Sequence, residues 1–387
     1  MATTTTFPSD IENDPATTAA AWRLLEAGDT LSISQVEGVS VRMLLRRANE
    51  LAELQSQGGR ALDRVEDLAQ LLALWKPAAY NKDREQAYFD ARFAARERPA
   101  YPHPDMASVL DSTFGQVLYA DQLVDLVKLL GFDHAWAERF RRSLAGGRLA
   151  GRDVMERAIR EAGARHGWTA GQSNALLGLL LQHVGYLLLH GHALAMAQHV
   201  FRQACLKVNP STTTSFFAEV LNNGGSVQYG LGAAAEEARR FGVLLLPPCV
   251  NLSIERFAVE DASPTLVAVQ EKGQGVVGAV RVPLTAIRGL GPEAAQHIVA
   301  VRAAFGSYTS LLDFCRKVDR RFVSRHDRIL LIKLGAFDFT GLTRAQLSVA
   351  EQYYASAADV MRSGDNDPAG TSPLAEDLAS GAIAYQN

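Results

Sequence analysis

The chemistry legible in this chain is concentrated in one run, Val282-Pro-Leu-Thr-Ala-Ile-Arg-Gly-Leu-Gly-Pro-Glu-Ala-Ala-Gln-His-Ile-Val-Ala-Val-Arg302. A short apolar segment meets Gly289-Leu290-Gly291, and Pro292 then opens a helix. Proline suits a first helical position because its missing N–H would have no partner there. The two glycines allow a turn tight enough for backbone N–H groups to point outward. Unpaired donors at a helix N-terminus form a site for a phosphate. Arg288 and Arg302 add positive charge on either side. Arg288, Gly289, Leu290, Gly291 and Arg302 are therefore the candidate phosphate-contacting residues. The pattern is that of a helix-hairpin-helix, which grips nucleic-acid backbone without reading bases. The alternative is a helical hairpin used only for packing.

Other reactive groups are less organised. Asp83, Glu85 and Asp90 lie in a polar stretch and read as solvated surface. Asp365-Asn-Asp367 has the spacing of a carboxylate pair but sits in a Gly-, Asp-, Ser- and Pro-rich tail. His183 and His190, like His192 and His199, are seven residues apart and could share helix faces. No carboxylate accompanies them at metal-ligand spacing, so satisfied or surface histidines are expected. Cys205, Cys249 and Cys315 are far apart and read as buried apolar residues of a reducing compartment.

The elements that must position these groups are mostly helical. The chain has 387 residues and a formal net charge of −3, so any nucleic-acid surface must be a local patch. Residues 1–20 are Thr-rich and acidic, lack a signal peptide, and are expected to be disordered. Residues 21–210 read as a helical domain, with Val109–Leu130 and Thr169–Cys205 among its helices, the latter bending at Gly185 and Gly191. The apolar stretch Leu176–Leu189 is interrupted by Gln182 and His183 and is short for a membrane span, so a core helix in a cytoplasmic protein is expected. Residues 211–280 read as a connector with a strand near Val243–Val250 and a hairpin around Lys272-Gly-Gln274. Residues 281–345 hold the glycine hairpin, and 346–387 a helix followed by a disordered tail. The fold class is mainly α, with a short β element.

Several short motifs then resemble the bacterial replicative DNA polymerase III alpha subunit, a C-family polymerase. Leu330-Leu-Ile-Lys-Leu-Gly-Ala-Phe-Asp338 with Arg344, and Glu237-Ala-Arg-Arg-Phe-Gly-Val243 leading to Leu246-Pro-Pro-Cys-Val-Asn251 and Ser253, are similar to segments of that family. Upstream, Leu31-Ser-Ile-Ser-Gln-Val-Glu37, Leu72-Ala-Leu-Trp-Lys-Pro77 and Val117-Leu-Tyr-Ala-Asp-Gln122 fall in the same order. The resemblance runs from about Trp22 to Arg344. It implies a fingers region followed by a helix-hairpin-helix region, without the palm or the polymerase-and-histidinol-phosphatase domain.

The resemblance also implies roles and departures. The family's basic run appears here as Phe140-Arg-Arg-Ser-Leu-Ala-Gly-Gly-Arg148, keeping Arg141 and Arg142 but not the lysines that follow. An arginine pair can clamp a triphosphate through charge-assisted bonds. The family's Arg-Pro-Gly-Pro appears as Lys76-Pro-Ala-Ala79, and its Gly-Phe-Asn-Lys-Ser-His loop as Leu187-Leu-Leu-His-Gly-His192. Lys76, Arg141, Arg142 and His192 are thus the candidate nucleotide contacts. The family's metal-binding carboxylates belong to the palm, so no cofactor is expected for this chain alone, and Mg²⁺ only through a palm-containing partner. The expected partners are DNA, and a palm-containing polymerase chain or other replisome proteins, with no membrane. The expected function is a DNA-binding subunit or fragment in replication or repair, inactive by itself. The alternative is a free-standing, polymerase-derived DNA-binding or regulatory protein.

Overall fold

The computed structural model describes residues 8, 10–55, 62, 64–75, 82–93, 100–145, 152–183, 187–260 and 275–362. These residues are mainly α-helical with one small sheet. They divide into two compact units, one ending at Asn209 and the other beginning at Pro210.

The first unit opens earlier than its composition suggests. A 3-10 turn at Ile11–Asn13 leads into α1, Pro15–Glu26. The Asp14 carboxylate accepts the Thr17 N–H at 3.0 Å and Pro15 takes the first turn, a good start for a helix. Ile11 is buried, and Arg202 donates to the Glu12 carboxylate at 3.1 Å. The expectation of disorder through residue 20 therefore fails from residue 10 onward. A polar, Thr-rich stretch is held by a cap and by side chains distant in sequence.

The unit continues with α2 (Val39–Gln55), α3 (Val65–Trp75), α4 (Lys82–Phe93) and the single turn α5 (Ala107–Leu110). It is completed by α6 (Ala120–Lys128), α7 (His134–Ala145), α8 (Arg152–Arg165), α9 (Ala170–Leu181) and α10 (His190–Val208). The expected helix Val109–Leu130 is broken. Phe114 and Gly115 adopt φ of 53° and 80°, and Tyr119 bridges to Leu188, with the Ala120 N–H donating to Leu188 O at 2.8 Å. This pairing across the fold outweighs the local helical pattern. Likewise Thr169–Cys205 is two helices, α9 and α10, with 184–186 outside the described residues. Leu176, Leu177 and Leu180 are buried in a core with Leu126, Val127, Phe140 and Trp168. No helix among the described residues is long and apolar enough to cross a membrane.

The second unit begins with α11 (Thr213–Asn222) and α12 (Gly230–Arg240). Strands β1 (Val243–Leu246), β2 (Ala258–Val259) and β3 (Gly278–Arg281) form a sheet in the order β1-β3-β2. β1 runs parallel to β3, pairing Val243 with Gly278, and β2 runs antiparallel to it, pairing Ala258 with Arg281. Gly278 is required by contact: a Cβ there would lie 2.2 Å from Thr214 Oγ1. The hairpin expected around Lys272 lies outside the described residues.

A 3-10 turn at Leu284–Ala286 then precedes α13 (Pro292–Phe305), α14 (Leu311–Lys317), α15 (Arg325–Lys333) and α16 (Arg344–Arg362). Their shared core holds Ile287, Leu290, Ile298, Tyr308, Phe314, Val323, Leu331, Phe337 and Leu347. Burying each such aliphatic side chain contributes roughly 1.5–3 kcal/mol. At the edge of this core the fully buried Glu351 carboxylate accepts from Arg328 Nη2 at 2.8 Å and from Arg325 Nε at 3.1 Å, joining α16 to α15. The tail from residue 363, including Asp365 and Asp367, lies outside the described residues.

Candidate nucleic-acid interface

The glycine hairpin closes as local chemistry dictates. The 3-10 turn bonds the Ile287 N–H to Leu284 O at 3.2 Å, and the Leu290 N–H donates to Ile287 O at 3.1 Å. Gly289 has φ of 97°, a region that side chains other than glycine rarely occupy. A Cβ there would meet only ordinary contact, Leu330 Cδ2 on α15 at 3.5 Å, so the backbone angle and not space calls for glycine. Leu290 is buried and anchors the turn in the core, while Arg288, Gly289 and Gly291 are exposed.

Gly291 is the N-cap of α13, with extended backbone (φ −67°, ψ 150°), and no side chain caps it. Pro292 follows at the first turn. The N–H groups of Gly291, Glu293 and Ala294 have no hydrogen-bond partner among the described residues. Three donors thus stand open at the positive end of a 14-residue helix. They border a surface depression lined by Gly291, Pro292, Glu293, Ala294, Phe322 and Asp327.

The two flanking arginines differ. Arg288 is exposed and makes no ion pair or hydrogen bond among the described residues. Arg302 is half-buried, and its Nη1 donates to Val250 O at 2.8 Å and Ser253 O at 2.9 Å. Arg302 therefore ties the segment after β1 to α13. Only its remaining N–H groups could meet a phosphate.

The candidate nucleotide contacts lie in the first unit. Arg141 and Arg142 on α7 both turn to Glu138. Arg141 donates Nε and Nη2 to the two carboxylate oxygens at 2.8 and 2.7 Å, and Arg142 donates Nε at 2.9 Å. The hydrogen bonds from Arg141 come first among the causes that pull the Glu138 carboxyl down to about 2. Arg142 remains 73 % exposed and keeps donors for another partner, whereas Arg141 is mostly committed. His192 is exposed in the first turn of α10. Lys76 lies outside the described residues.

Sequence reasoning missed the contacts of His190, two residues before His192 on the same helix. The backbone N–H of His190 donates to Asp121 Oδ2 at 2.6 Å, and its Nε2 lies 3.1 Å from both Glu66 oxygens. The Tyr119 hydroxyl donates to the same carboxylate at 3.2 Å, and burial together with Glu66 pushes its phenol up. His183 Nδ1 sits 2.8 Å from Leu179 O, so that histidine is satisfied by its own helix. Among the described residues no group of three or more His, Cys, Asp or Glu could hold a metal ion.

Phe322, stacked on His297, lines the same depression as Gly291 and Pro292, and nothing in the spacing of these residues along the chain marks them.

Comparison with known proteins supports both units. Residues 2–166 match the bacterial DNA polymerase III alpha subunit finger domain, and residues 242–347 match the helix-hairpin-helix motif. The chain is 28 % identical to a DNA polymerase III subunit alpha of Caulobacter vibrioides, over 88 % of this chain and 27 % of that protein. It is 28 % identical to an error-prone DNA polymerase of Symbiobacterium thermophilum, over 85 % of this chain and 30 % of that one. A DNA polymerase III subunit alpha of Treponema pallidum is 26 % identical, over 89 % of this chain and 26 % of its own length. The chain spans less than a third of the length of these curated relatives. It carries the finger region and the helix-hairpin-helix region of the bacterial DNA polymerase III alpha family.

Proposed function

We propose that this chain is a DNA polymerase III alpha-like DNA-binding subunit or fragment acting in DNA replication or repair, and that it holds DNA by a backbone phosphate at the N-terminus of α13. The observation that carries the reading is the set of three open N–H groups at Gly291, Glu293 and Ala294, presented by a turn that needs Gly289 at positive φ. Such donors bind phosphate without base contacts, so binding is insensitive to sequence and weakens steeply with salt. Arg288 supplies an exposed charge beside them. The reading places the chain in the cytoplasm with its DNA. It also makes the chain inactive alone: polymerisation needs carboxylates holding Mg²⁺, which a palm-containing chain would bring.

The test is an anisotropy titration of duplex DNA at several salt concentrations. Replacing Gly289 and Gly291 together with Val is expected to abolish most binding while circular dichroism of the helices stays unchanged. A folded double variant that binds like the parent would show that the hairpin only packs. Primer extension by the pure chain with Mg²⁺ and four deoxynucleotides would refute the inactive reading.

One observation favours the second reading, a free-standing polymerase-derived DNA-binding or regulatory protein. Arg141 and Arg142 spend their charge on Glu138, so the pair is a weaker clamp for triphosphate than two unpaired guanidiniums. Co-purification with a palm-containing protein separates the two readings.

A further inference from the structure

Between α1 and α2 the chain makes a tight loop, residues 30–37, which holds the motif Leu31-Ser-Ile-Ser-Gln-Val-Glu37. Ser32 and Gln35 adopt φ of 66° and 70° there, a region that side chains other than glycine rarely occupy. Such backbone persists only where its surroundings hold it. Part of the hold is internal. Ile33 and Val36 are fully buried, and Thr30 Oγ1 donates to Val36 O. The rest comes from α10. Lys207 Nζ donates to Leu31 O at 2.6 Å. The Ser34 N–H donates to Gln203 Oε1 at 2.9 Å, and Gln203 Nε2 donates to Ser34 Oγ at 2.6 Å.

These contacts fix the polarity of one more. A backbone N–H can only donate, so the amide atom facing Ser34 N is the oxygen. The amide nitrogen is then the atom that meets His199 Nε2, one turn earlier on α10. An amide nitrogen also can only donate, so His199 Nε2 must accept. That requires a neutral ring with its proton on Nδ1. An imidazolium carries N–H on both nitrogens and cannot make this contact. It attracts Gln203 Oε1 instead, the atom that Ser34 N–H uses.

We infer that His199 is a proton switch on residues 30–37: the neutral ring keeps the Gln203 amide turned toward Ser34, and a proton on the ring weakens that latch. The ring is exposed and senses bulk pH directly. The charged groups on the elements around it serve other partners or stand apart. Glu12 of the 3-10 turn pairs with Arg202, Glu66 of α3 with His190, and Asp67 of α3 with Arg92. Arg23 is exposed and Glu26 buried on α1, and Asp29 and Glu37 stand at the two ends of the loop. Among the described residues His199 makes no ion pair with any of them. By linkage the latch is complete where the ring is neutral, and it weakens as pH falls through the imidazole titration.

The test is hydrogen exchange of the full chain between about pH 5 and 8, the range an imidazole spans, with each rate divided by its intrinsic value at that pH. NMR of the same chain follows the His199 ring. Protection of residues 31–37 is expected to fall about two- to tenfold toward the acid end, the worth of one net hydrogen bond, with the midpoint of the ring. Peptides of α6, in the same unit, should keep their protection. His199→Gln, whose amide oxygen accepts at every pH, should hold the higher protection throughout. His199→Lys, a donor across this range, should hold the lower. Gln203→Ala should lower protection and remove its pH dependence. Constant protection while the ring titrates would overturn the inference, as would a pH dependence that survives in His199→Gln. An equal loss in α6 would assign the change to opening of the whole unit and overturn it too. Full protection in Gln203→Ala would show that the amide holds nothing.

Discussion

Glu351→Ala should loosen the hairpin unit selectively. Glu351 is fully buried on α16, and its carboxylate takes hydrogen bonds from Arg328 Nε at 3.1 Å, Arg328 Nη2 at 2.8 Å and Arg325 Nε at 3.1 Å. Arg325 is half in water and can re-solvate, so its share is small. Arg328 is buried, and without Glu351 its charge is left with a carbonyl contact to Val323 at 3.4 Å and the Tyr354 ring 5.8 Å away. Removing one partner of a buried pair costs about 3–5 kcal/mol. That is a large part of the roughly 5–15 kcal/mol that holds a domain together. In hydrogen exchange, opening of α13, α15 and α16 should become on the order of 100- to 5,000-fold more frequent, at 1.36 kcal/mol per decade. Peptides from α9 and α10, in the other unit, should exchange as before. The measurement is mass-resolved exchange of the full chain. Replacing Glu351 and Arg328 together with Leu should recover most of the protection, since an apolar pair of similar volume is often as stable as a buried ion pair. A loss below about 1 kcal/mol in the single variant would refute the reasoning, because an unpaired buried guanidinium cannot be that cheap.

Two further outcomes follow from the surface arginines. The Asp319 carboxyl is held at about 2, first by the side-chain hydrogen bonds of Arg321. A depressed carboxyl stabilises above its unfolded value, near 4, and loses that contribution as pH falls through about 2, so the Asp319–Arg321 pair should add no pH dependence between about pH 5 and 8. A carbon-detected NMR titration giving Asp319 an ordinary carboxylate midpoint would show that the pair does not persist in solution. In an assembly with a palm-containing chain, Arg141→Ala with Arg142→Ala should weaken nucleotide more than DNA binding. Equal losses, or none, would make the pair a solvated face or a DNA contact.

The sequence by itself determined what depends on neighbours along the chain. Gly289-Leu-Gly-Pro292 specifies a tight turn and an uncapped helix start through φ preferences and a missing N–H, and the structure shows both. The mainly helical character was legible for the same reason. Tertiary structure decided the rest, through contacts between residues far apart in sequence. Arg302 looked like a phosphate ligand, but the carbonyls of Val250 and Ser253 reach its Nη1 only when the segment after β1 folds against α13. The Val109–Leu130 pattern looked continuous, but pairing of Tyr119 with Leu188 breaks it. The parallel pairing of β1 with β3 joins strands separated by more than thirty residues, which no local propensity encodes. Phe322 reads as an ordinary apolar residue until α15 brings it beside Gly291. A hairpin's donors are set by the backbone of a few residues, whereas what faces those donors is set by packing, and only the folded chain fixes that.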